Sequence, residues 1–131
     1  MSDQVQMPTH VLVVDDDADI VEFVTTFLKS SGYRVTCAYD GEDALQKTRE
    51  HLPQFVLLDL NIPIQDGWLV CSKLKLVKSA PKIVFITGET RPDLEQFAEF
   101  VHADAVLRKP FGVEDIKRVI DELYKDERAS A

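Results

Sequence analysis

The segment FVLLDLNIPIQDG, residues 55–67, decides the fold of this chain. Its first four residues are apolar and lead to a carboxylate, Asp59, after which Pro63 and the pair Asp66-Gly67 are typical of turns. A short apolar run bounded by turn residues predicts a strand that is buried on both faces. In open α/β sheets, functional groups lie beyond the carboxyl ends of such strands. The segment therefore predicts a central parallel strand that places Asp59 at a functional edge.

The composition is that of a globular chain with one domain. Of its 131 residues, 45% are hydrophobic and 29% are charged, which is sufficient for a buried core. The net charge of −8 argues against a nucleic-acid or membrane surface. Cys37 and Cys71 lack metal-ligand spacing and suit a reducing compartment, and residues 1–10 show no signal-peptide pattern. We expect a cytoplasmic protein.

Strand and helix patterns alternate along the whole sequence. Apolar runs predict strands over 10–14, 33–39, 55–58, 82–87 and 105–107. Helical spacing of apolar residues follows each run. The predicted inward face of the first helix includes Ile20, Val21, Phe23, Val24, Phe27 and Leu28. The predicted inward face of the third helix includes Val70, Cys71, Leu74 and Val77, and that of the fourth includes Leu94, Phe97, Ala98 and Val101.

This alternation predicts an α/β fold, a doubly wound parallel sheet of five strands with five helices. Strand order cannot be derived from periodicity, but the order 2-1-3-4-5 suits five strands. We expect residues 1–8 to be a loose segment, 9–125 to form the domain and 126–131 to be a frayed tail. Pro92 is predicted in the first turn of the fourth helix, and Asp40 as the cap of the second.

Polar residues end four of the five predicted strands. Asp15 and Asp16 follow the first strand, Asp59 the third, Thr87 ends the fourth, and Lys109 follows the fifth. If the first and third strands are neighbours, the three carboxylates converge, and such a cluster needs a cation or raised pKa values. Hard carboxylate oxygens suit Mg²⁺ beside a phosphate.

These residue types together predict phosphoryl chemistry. A carboxylate can be the nucleophile, while a metal, a lysine and a threonine hydroxyl stabilise the oxygens of the transferred group. No histidine or cysteine has a base partner at a recognisable spacing, so acyl transfer has no support. The five glycines are scattered and do not form a P-loop.

Four motifs, VVDDD, LLDLNIPIQDG, FITGE and LRKPF, resemble in order and spacing the receiver domain of two-component response regulators. The resemblance covers about residues 9–124. It implies the flavodoxin-like fold with strand order 2-1-3-4-5. It also implies that Asp59 accepts a phosphoryl group from the phosphohistidine of a sensor histidine kinase or phosphotransfer protein, in signalling rather than enzymatic turnover.

The same resemblance implies a role for each site residue. Asp16, Asp59 and the backbone carbonyl of Asn61 would bind Mg²⁺ (or Mn²⁺) directly, and Asp15 would act mainly through metal-bound water. Thr87 and Lys109 would contact the phosphoryl oxygens, and the Lys109–Pro110 peptide would be cis.

The chain departs from the family pattern at two positions. Val106 stands where receivers usually carry tyrosine or phenylalanine, a ring that swings inward when the threonine moves. Gly88 stands where alanine is common, which would open the phosphoryl site. Asn61 and Glu89 occupy positions that influence the rate of phosphoryl loss in this family.

A stand-alone receiver would signal through a surface. We expect that surface to be the fourth helix, the fifth strand and the last helix, with Phe100, Val106 and Tyr124 as candidate contacts. An edge-of-core role for Phe100 is an equal alternative. We expect a monomer or weak dimer that binds neither nucleic acid nor membrane.

Three alternatives stay open. The chain could be a pseudo-receiver that binds partners without phosphorylation, which Val106 favours. It could be a Mg²⁺-dependent phosphatase of haloacid dehalogenase type, although Ala18 stands where that family wants threonine or valine after Asp-x-Asp. It could also be a receiver cut from a longer regulator.

Other residues have simpler interpretations. Asp17 and Asp19 suit a helix N-terminus, and Trp68 and Phe111 suit packing. The histidines, His10, His51 and His102, have no ligand-like neighbours in the sequence.

Overall fold

The computed structural model describes residues 9–60, 67–88 and 92–129, and over these ranges it contains one parallel sheet of five strands in the order β2-β1-β3-β4-β5. The strands are β1 (His10–Val14), β2 (Arg34–Ala38), β3 (Phe55–Asp59), β4 (Lys82–Thr87) and β5 (Ala105–Arg108). The helices are α1 (Ala18–Ser30), α2 (Gly41–His51), α3 (Gly67–Leu74), α4 (Leu94–Phe100) and α5 (Val113–Ala129). The predicted fold class and strand order are confirmed.

Two apolar cores cover the two faces of the sheet, because successive side chains of a strand point to opposite faces. The α2–α3–α4 core contains Leu58 of β3 and Phe85 of β4 together with buried residues of those three helices. The α1–α5 core contains Leu57 and Val84 together with buried residues of the two other helices. The strand runs are therefore apolar without alternation, as the central run 55–58 predicts.

The ends of the first two helices follow from their capping residues. The Asp17 carboxylate accepts hydrogen bonds from the backbone N–H groups of Asp19 at 3.0 Å and Ile20 at 3.4 Å at the start of α1. The Asp40 carboxylate accepts from the N–H of Asp43 at 2.8 Å at the start of α2. Both residues satisfy N–H groups that have no partner within a helix. The capping role predicted for Asp40 and the helix-start role predicted for Asp17 are confirmed.

Two predicted helix faces are too wide. Phe23 is 45% exposed, because it lies two residues after the buried Val21 and so points about 200° around the helix. Phe97 of α4 is 43% exposed, and only Leu94 and Ala98 of that helix are buried. The inward predictions for Phe23 and Phe97 are therefore only partly right, since both rings stay in contact with solvent.

Three helix boundaries also differ from the prediction. α3 ends at Leu74, which leaves Val77 in the following turn, and α4 ends at Phe100, where Val101 is the C-cap residue. Pro92 lies in a turn before α4 rather than in its first helical turn. α5, the last helix, continues to Ala129.

None of the helices in the described part of the chain combines the length and the apolar content that crossing a membrane requires.

Candidate functional site

Three carboxylates meet at the carboxyl edge of the sheet. β1 and β3 are parallel neighbours with Val14 beside Leu58, so Asp15 and Asp59 leave their strands at the same level. One carboxylate oxygen from each of Asp15, Asp16 and Asp59 lies within 4.8 Å of the others. The convergence predicted from the sequence is confirmed; we call these three residues the acid cluster.

The members of the acid cluster differ in exposure. Asp15 is 0% exposed and Asp59 is 4% exposed, whereas Asp16 is open to solvent. Asp15 Oδ1 accepts a hydrogen bond from the backbone N–H of Asp17 at 2.9 Å. Among the described residues, Asp15 Oδ2 is buried without a hydrogen-bond partner. A buried carboxylate oxygen of this kind is costly unless a nearby positive charge compensates it.

The electrostatics of the acid cluster favour a cation. Burial raises the pKa of Asp15, and the charge of Asp59 raises it further. The N–H of Asp17 and the charge of Lys109 oppose this rise. Burial and a like charge both disfavour the ionised form, so a bound cation would restore it.

Lys109 supplies the nearest positive charge. Its Nζ atom lies 3.3 Å from Asp15 Oδ2 and 3.7 Å from Asp59 Oδ2. Its backbone N–H donates to the Thr87 carbonyl oxygen at 2.7 Å, which fixes the residue at the end of β5. The Lys109–Pro110 peptide is cis, as the resemblance implies. Among the described residues, one ammonium group thus lies beside two of the three carboxylates of the acid cluster.

Thr87 lies at the same edge and is fully buried at the end of β4. β3 pairs with β4 so that Asp59 is beside Ile86, which puts Thr87 one residue beyond that pair. The structure therefore brings together five of the six predicted site residues at one edge. The sixth, Asn61, lies outside the described residues, as does Glu89.

Gly67 is required by a close approach of backbone segments. A Cβ atom at this position would lie 2.6 Å from Leu60 Cα and 2.9 Å from the carbonyl oxygen of Asp59. The N–H of Gly67 donates to the Leu60 carbonyl oxygen at 3.0 Å. The sequence predicts Gly67 as a turn residue that leads into the third helix, and in the structure it starts α3 with its backbone against the end of β3.

Around Gly88, by contrast, the structure is open. A Cβ atom there would meet nothing within 4 Å among the described residues. The described residues therefore leave room for a larger side chain at this position, and the effect of Gly88 on the phosphoryl site stays a prediction.

A line of aromatic rings starts next to Gly67. The Trp68 ring packs edge-on against Phe85 of β4, with ring centres 4.8 Å apart, and tilted against Phe97 of α4 at 5.9 Å. The packing role predicted for Trp68 is confirmed. Its bridging position is not predicted from the sequence, because the three rings come from three different elements.

The predicted signalling surface carries exposed rings. Phe100 is 79% exposed and Tyr124 is half-exposed, so Phe100 is not an edge residue of the core. Val106 is half-buried and packs on the α2–α3–α4 core, beside Phe85 in the β4–β5 pairing.

The site residues fit a divalent metal ion of the Mg²⁺ type. The donor set consists of carboxylate oxygens, which are hard ligands, and one of them, Asp15 Oδ2, is buried without a hydrogen bond among the described residues. The open side at Asp16 leaves room for the waters that Mg²⁺ retains.

A doubly wound sheet with an acid cluster, a threonine and a lysine at its carboxyl edge is the arrangement that the resemblance to receiver domains implies. The family model of the response regulator receiver domain matches residues 11–121. The chain belongs to this family.

Solved structures similar to this chain include two CheY-like proteins. The chemotaxis response regulator CheY4 of Vibrio cholerae is 29% identical with a TM-score of 0.83, over 88% of this chain and 98% of that one. A CheY-like receiver domain protein of Methanospirillum hungatei is 24% identical with a TM-score of 0.89, over 95% and 100% of the two chains, which shows the fold alone.

A third similar structure belongs to a longer protein. Thermotoga maritima DrrB, an OmpR/PhoB homologue, is 26% identical with a TM-score of 0.83 over 92% of this chain. The match spans 54% of the DrrB chain. The same domain is therefore found both as most of a protein and as about half of one.

Proposed function

We propose that this receiver domain accepts a phosphoryl group on Asp59 from the phosphohistidine of a sensor histidine kinase or phosphotransfer protein in the cytoplasm. The observation that supports the proposal best is the position of Asp59 at the end of the central strand β3, nearly buried, with Asp15 and Lys109 around it. A nucleophilic carboxylate needs such a fixed position facing a cation.

In the proposed reaction an oxygen of Asp59 attacks the phosphorus atom. The new O–P bond replaces the P–N bond to the donor imidazole, which leaves as the neutral base after taking up a proton. Lys109 Nζ, 3.7 Å from Asp59 Oδ2, balances the charge of the phosphoryl oxygens, and the hydroxyl of Thr87 donates to one of them. The chain acts on itself and turns over no separate substrate.

The metal ion would be held by Asp16, Asp59 and the backbone carbonyl of Asn61, with Asp15 acting through water. When bound, Mg²⁺ supplies positive charge that compensates the phosphoryl oxygens and the carboxylates. The burial of Asp15 and the convergence of its carboxylate with those of Asp16 and Asp59 support this assignment.

Phosphorylation would be sensed on the surface formed by α4, β5 and α5. A phosphoryl group adds about −1.5 to −2 charges at neutral pH. The exposed ring of Phe100 on α4 and the half-exposed ring of Tyr124 on α5 support this surface as the contact for a target protein.

The test is loading with a phosphoryl donor or mimic. Acetyl phosphate or beryllofluoride with Mg²⁺ should modify or bind the wild-type chain and fail on Asp59→Asn. Asp19→Asn is the matched control, because it removes an exposed carboxylate in the first turn of α1 outside the acid cluster. Phosphotransfer profiling against the histidine kinases of the source organism would then identify the donor.

Two other functions make different predictions in the same experiment. A pseudo-receiver would bind neither reagent, and that result would overturn the proposal. A phosphatase would release phosphate steadily from small phosphomonoesters. Label that appears equally on Asp59→Asn would show that another residue is the acceptor.

A further inference from the structure

Trp68 lies where the acceptor strand, β4 and α4 come together. The preceding residue, Gly67, has its backbone against the carbonyl oxygen of Asp59 and the backbone of Leu60. Trp68 is therefore one peptide bond away from a segment in direct contact with the acceptor residue.

The ring of Trp68 then reaches the strand that carries Thr87. Phe85, which it contacts at 4.8 Å, lies two residues before Thr87 and points to the same face of β4. A displacement at the end of β4 would therefore change the surface on which the indole rests.

On its other side the ring of Trp68 contacts α4. The ring of Phe97 lies 5.9 Å away, on a helix of seven residues of which only Leu94 and Ala98 are buried. A helix with so few buried residues is held weakly and can shift as a unit. The aromatic contact is one of those that join α4 to the rest of the domain, beside the Arg108–Glu95 ion pair to β5.

At position 106, next to Phe85, the chain has a valine and not an aromatic ring. Val106 is beside Phe85 in the β4–β5 pairing and packs on the same core as Trp68. Its side chain is short and branched, with one side-chain torsion, so it has no long ring to move between two positions. Trp68 is the large side chain that joins Phe85 to α4.

We propose that Trp68 is the coupling residue that transmits the state of Asp59 to α4, through its contacts with Phe85 and Phe97. This inference rests on the proposed phosphorylation of Asp59. The packing Phe85–Trp68–Phe97 changes when the end of β4 moves, and α4 changes position with it.

The test uses beryllofluoride with Mg²⁺ as the probe. Bound fluoride is followed by ¹⁹F NMR, and α4 is followed through the backbone amide shifts of residues 94–100. Trp68 is the only tryptophan of the chain, so its emission reports this position alone. In the wild type, loading should shift the α4 amides and the tryptophan emission, and Asp59→Asn should show neither change.

Two variants remove the coupling from opposite ends. Trp68→Leu and Phe97→Leu should still bind beryllofluoride but lose the α4 shifts. Phe97 is half-exposed, so its variant decides the question if Trp68→Leu fails to fold. Val106→Ala is the control and should keep the α4 shifts.

The outcomes separate this inference from the proposed function. Full α4 shifts in Trp68→Leu or Phe97→Leu, with beryllofluoride bound, would overturn the coupling role alone. Loss of the shifts in Val106→Ala would overturn it as well, by assigning the coupling to position 106. A wild-type chain that binds no beryllofluoride would overturn the proposed function and this inference with it.

Discussion

Charged groups are paired differently at the two edges of the sheet, the amino edge where the strands begin and the carboxyl edge where they end. At the amino edge, the carboxylate of Asp104 accepts hydrogen bonds from Lys75 Nζ at 2.6 Å and from the N–H of Ile83 at 2.8 Å. A second lysine, Lys82, lies 3.8 Å away. At the carboxyl edge, three carboxylates converge, and Lys109 lies within 3.3 Å of Asp15 Oδ2 and 3.7 Å of Asp59 Oδ2.

The polar groups of His10, also at the amino edge, have hydrogen-bond partners within the chain. Its backbone N–H donates to the side-chain oxygen of Gln54 at 2.7 Å, and its ring Nε2 shares a hydrogen bond of 2.6 Å with the Thr36 hydroxyl. The polar groups of the amino edge are completed by the chain itself and stabilise the fold. At the carboxyl edge the carboxylates of the acid cluster outnumber the one lysine near them among the described residues, as is common at functional sites.

The largest change in the free energy of unfolding should come from removing the interactions of Asp104 at the amino edge. Asp104→Ala removes the acceptor of Lys75 and of the Ile83 N–H, and leaves both poorly solvated. We expect the free energy of unfolding to fall by about 3 kcal/mol. Urea unfolding measures this, with the exposed Asp121→Ala as control, which should change it by less than about 0.5 kcal/mol. A loss of similar size in both variants would show that the amino-edge pairing is not special.

A bound cation should compensate the charges of the acid cluster at the carboxyl edge and so stabilise the folded chain. Mg²⁺ at a hundredfold excess over its Kd should raise the free energy of unfolding by about 2.7 kcal/mol, because it binds the folded state only. Asp16→Asn and Asp59→Asn should lose this gain, and Asp19→Asn should keep it. Thermal unfolding with Mg²⁺ or EDTA gives the comparison, and an equal gain in Asp16→Asn would contradict the metal assignment.

Without metal, removing a carboxylate charge at the carboxyl edge should raise the free energy of unfolding, whereas Asp104→Ala should lower it. The folded-state pKa of Asp15 is raised above 3.8, so its contribution to stability is complete below that pH and is lost as pH rises through the folded value. Asp15→Asn, which resembles the protonated acid, should therefore raise the free energy of unfolding at pH 7 by about 1 kcal/mol.

The pH dependence of this variant provides the check. In EDTA, the gain from Asp15→Asn should shrink as the pH is lowered toward 3.8, because the raised pKa of Asp15 favours the protonated carboxyl in the folded state. If Asp15→Asn were less stable than the wild type at pH 7, the charge of Lys109 would be shown to compensate the burial of the Asp15 carboxylate fully.

The smallest effect should be a change in pH dependence at the amino edge. Burial lowers the pKa of His10 below 6.5, and the charges of Arg34 and His51 lower it further. The stability from neutral His10 is fully present above pH 6.5 and is lost as pH falls through the folded-state pKa. His10→Gln should flatten the stability profile below pH 6.5, whereas the exposed His102→Asn should leave it unchanged. A profile of unchanged slope in His10→Gln would assign the pH dependence to other groups.

Most of the fold and of the acid cluster could be predicted from local patterns. The run 55–58 is apolar on both faces, which only a central parallel strand requires. Once the strands are placed, parallel pairing brings Asp15, Asp59 and Lys109 to one edge without further information.

The parts that could not be predicted depend on contacts between distant segments. Lys75 and Asp104 are 29 positions apart, and nothing in either local sequence specifies the other. Phe23 satisfies the helical spacing of its neighbours but faces solvent, because the sheet covers a narrower stripe of α1 than the apolar residues occupy. The contact between Trp68 and Phe97 depends on where α3 and α4 dock, which periodicity does not determine.

The close contact at Gly67 also makes the acceptor region suitable for engineering. The hydrogen bond from its N–H to the Leu60 carbonyl, with the tight backbone approach, joins the two ends of the intervening segment independently of that segment's sequence. Extending a closed segment is inexpensive, since each doubling of its length costs about 0.6 kcal/mol. Libraries that vary residues 61–66 while keeping Gly67 would therefore test whether this segment sets the lifetime of the proposed phosphorylated form, without redesigning the sheet.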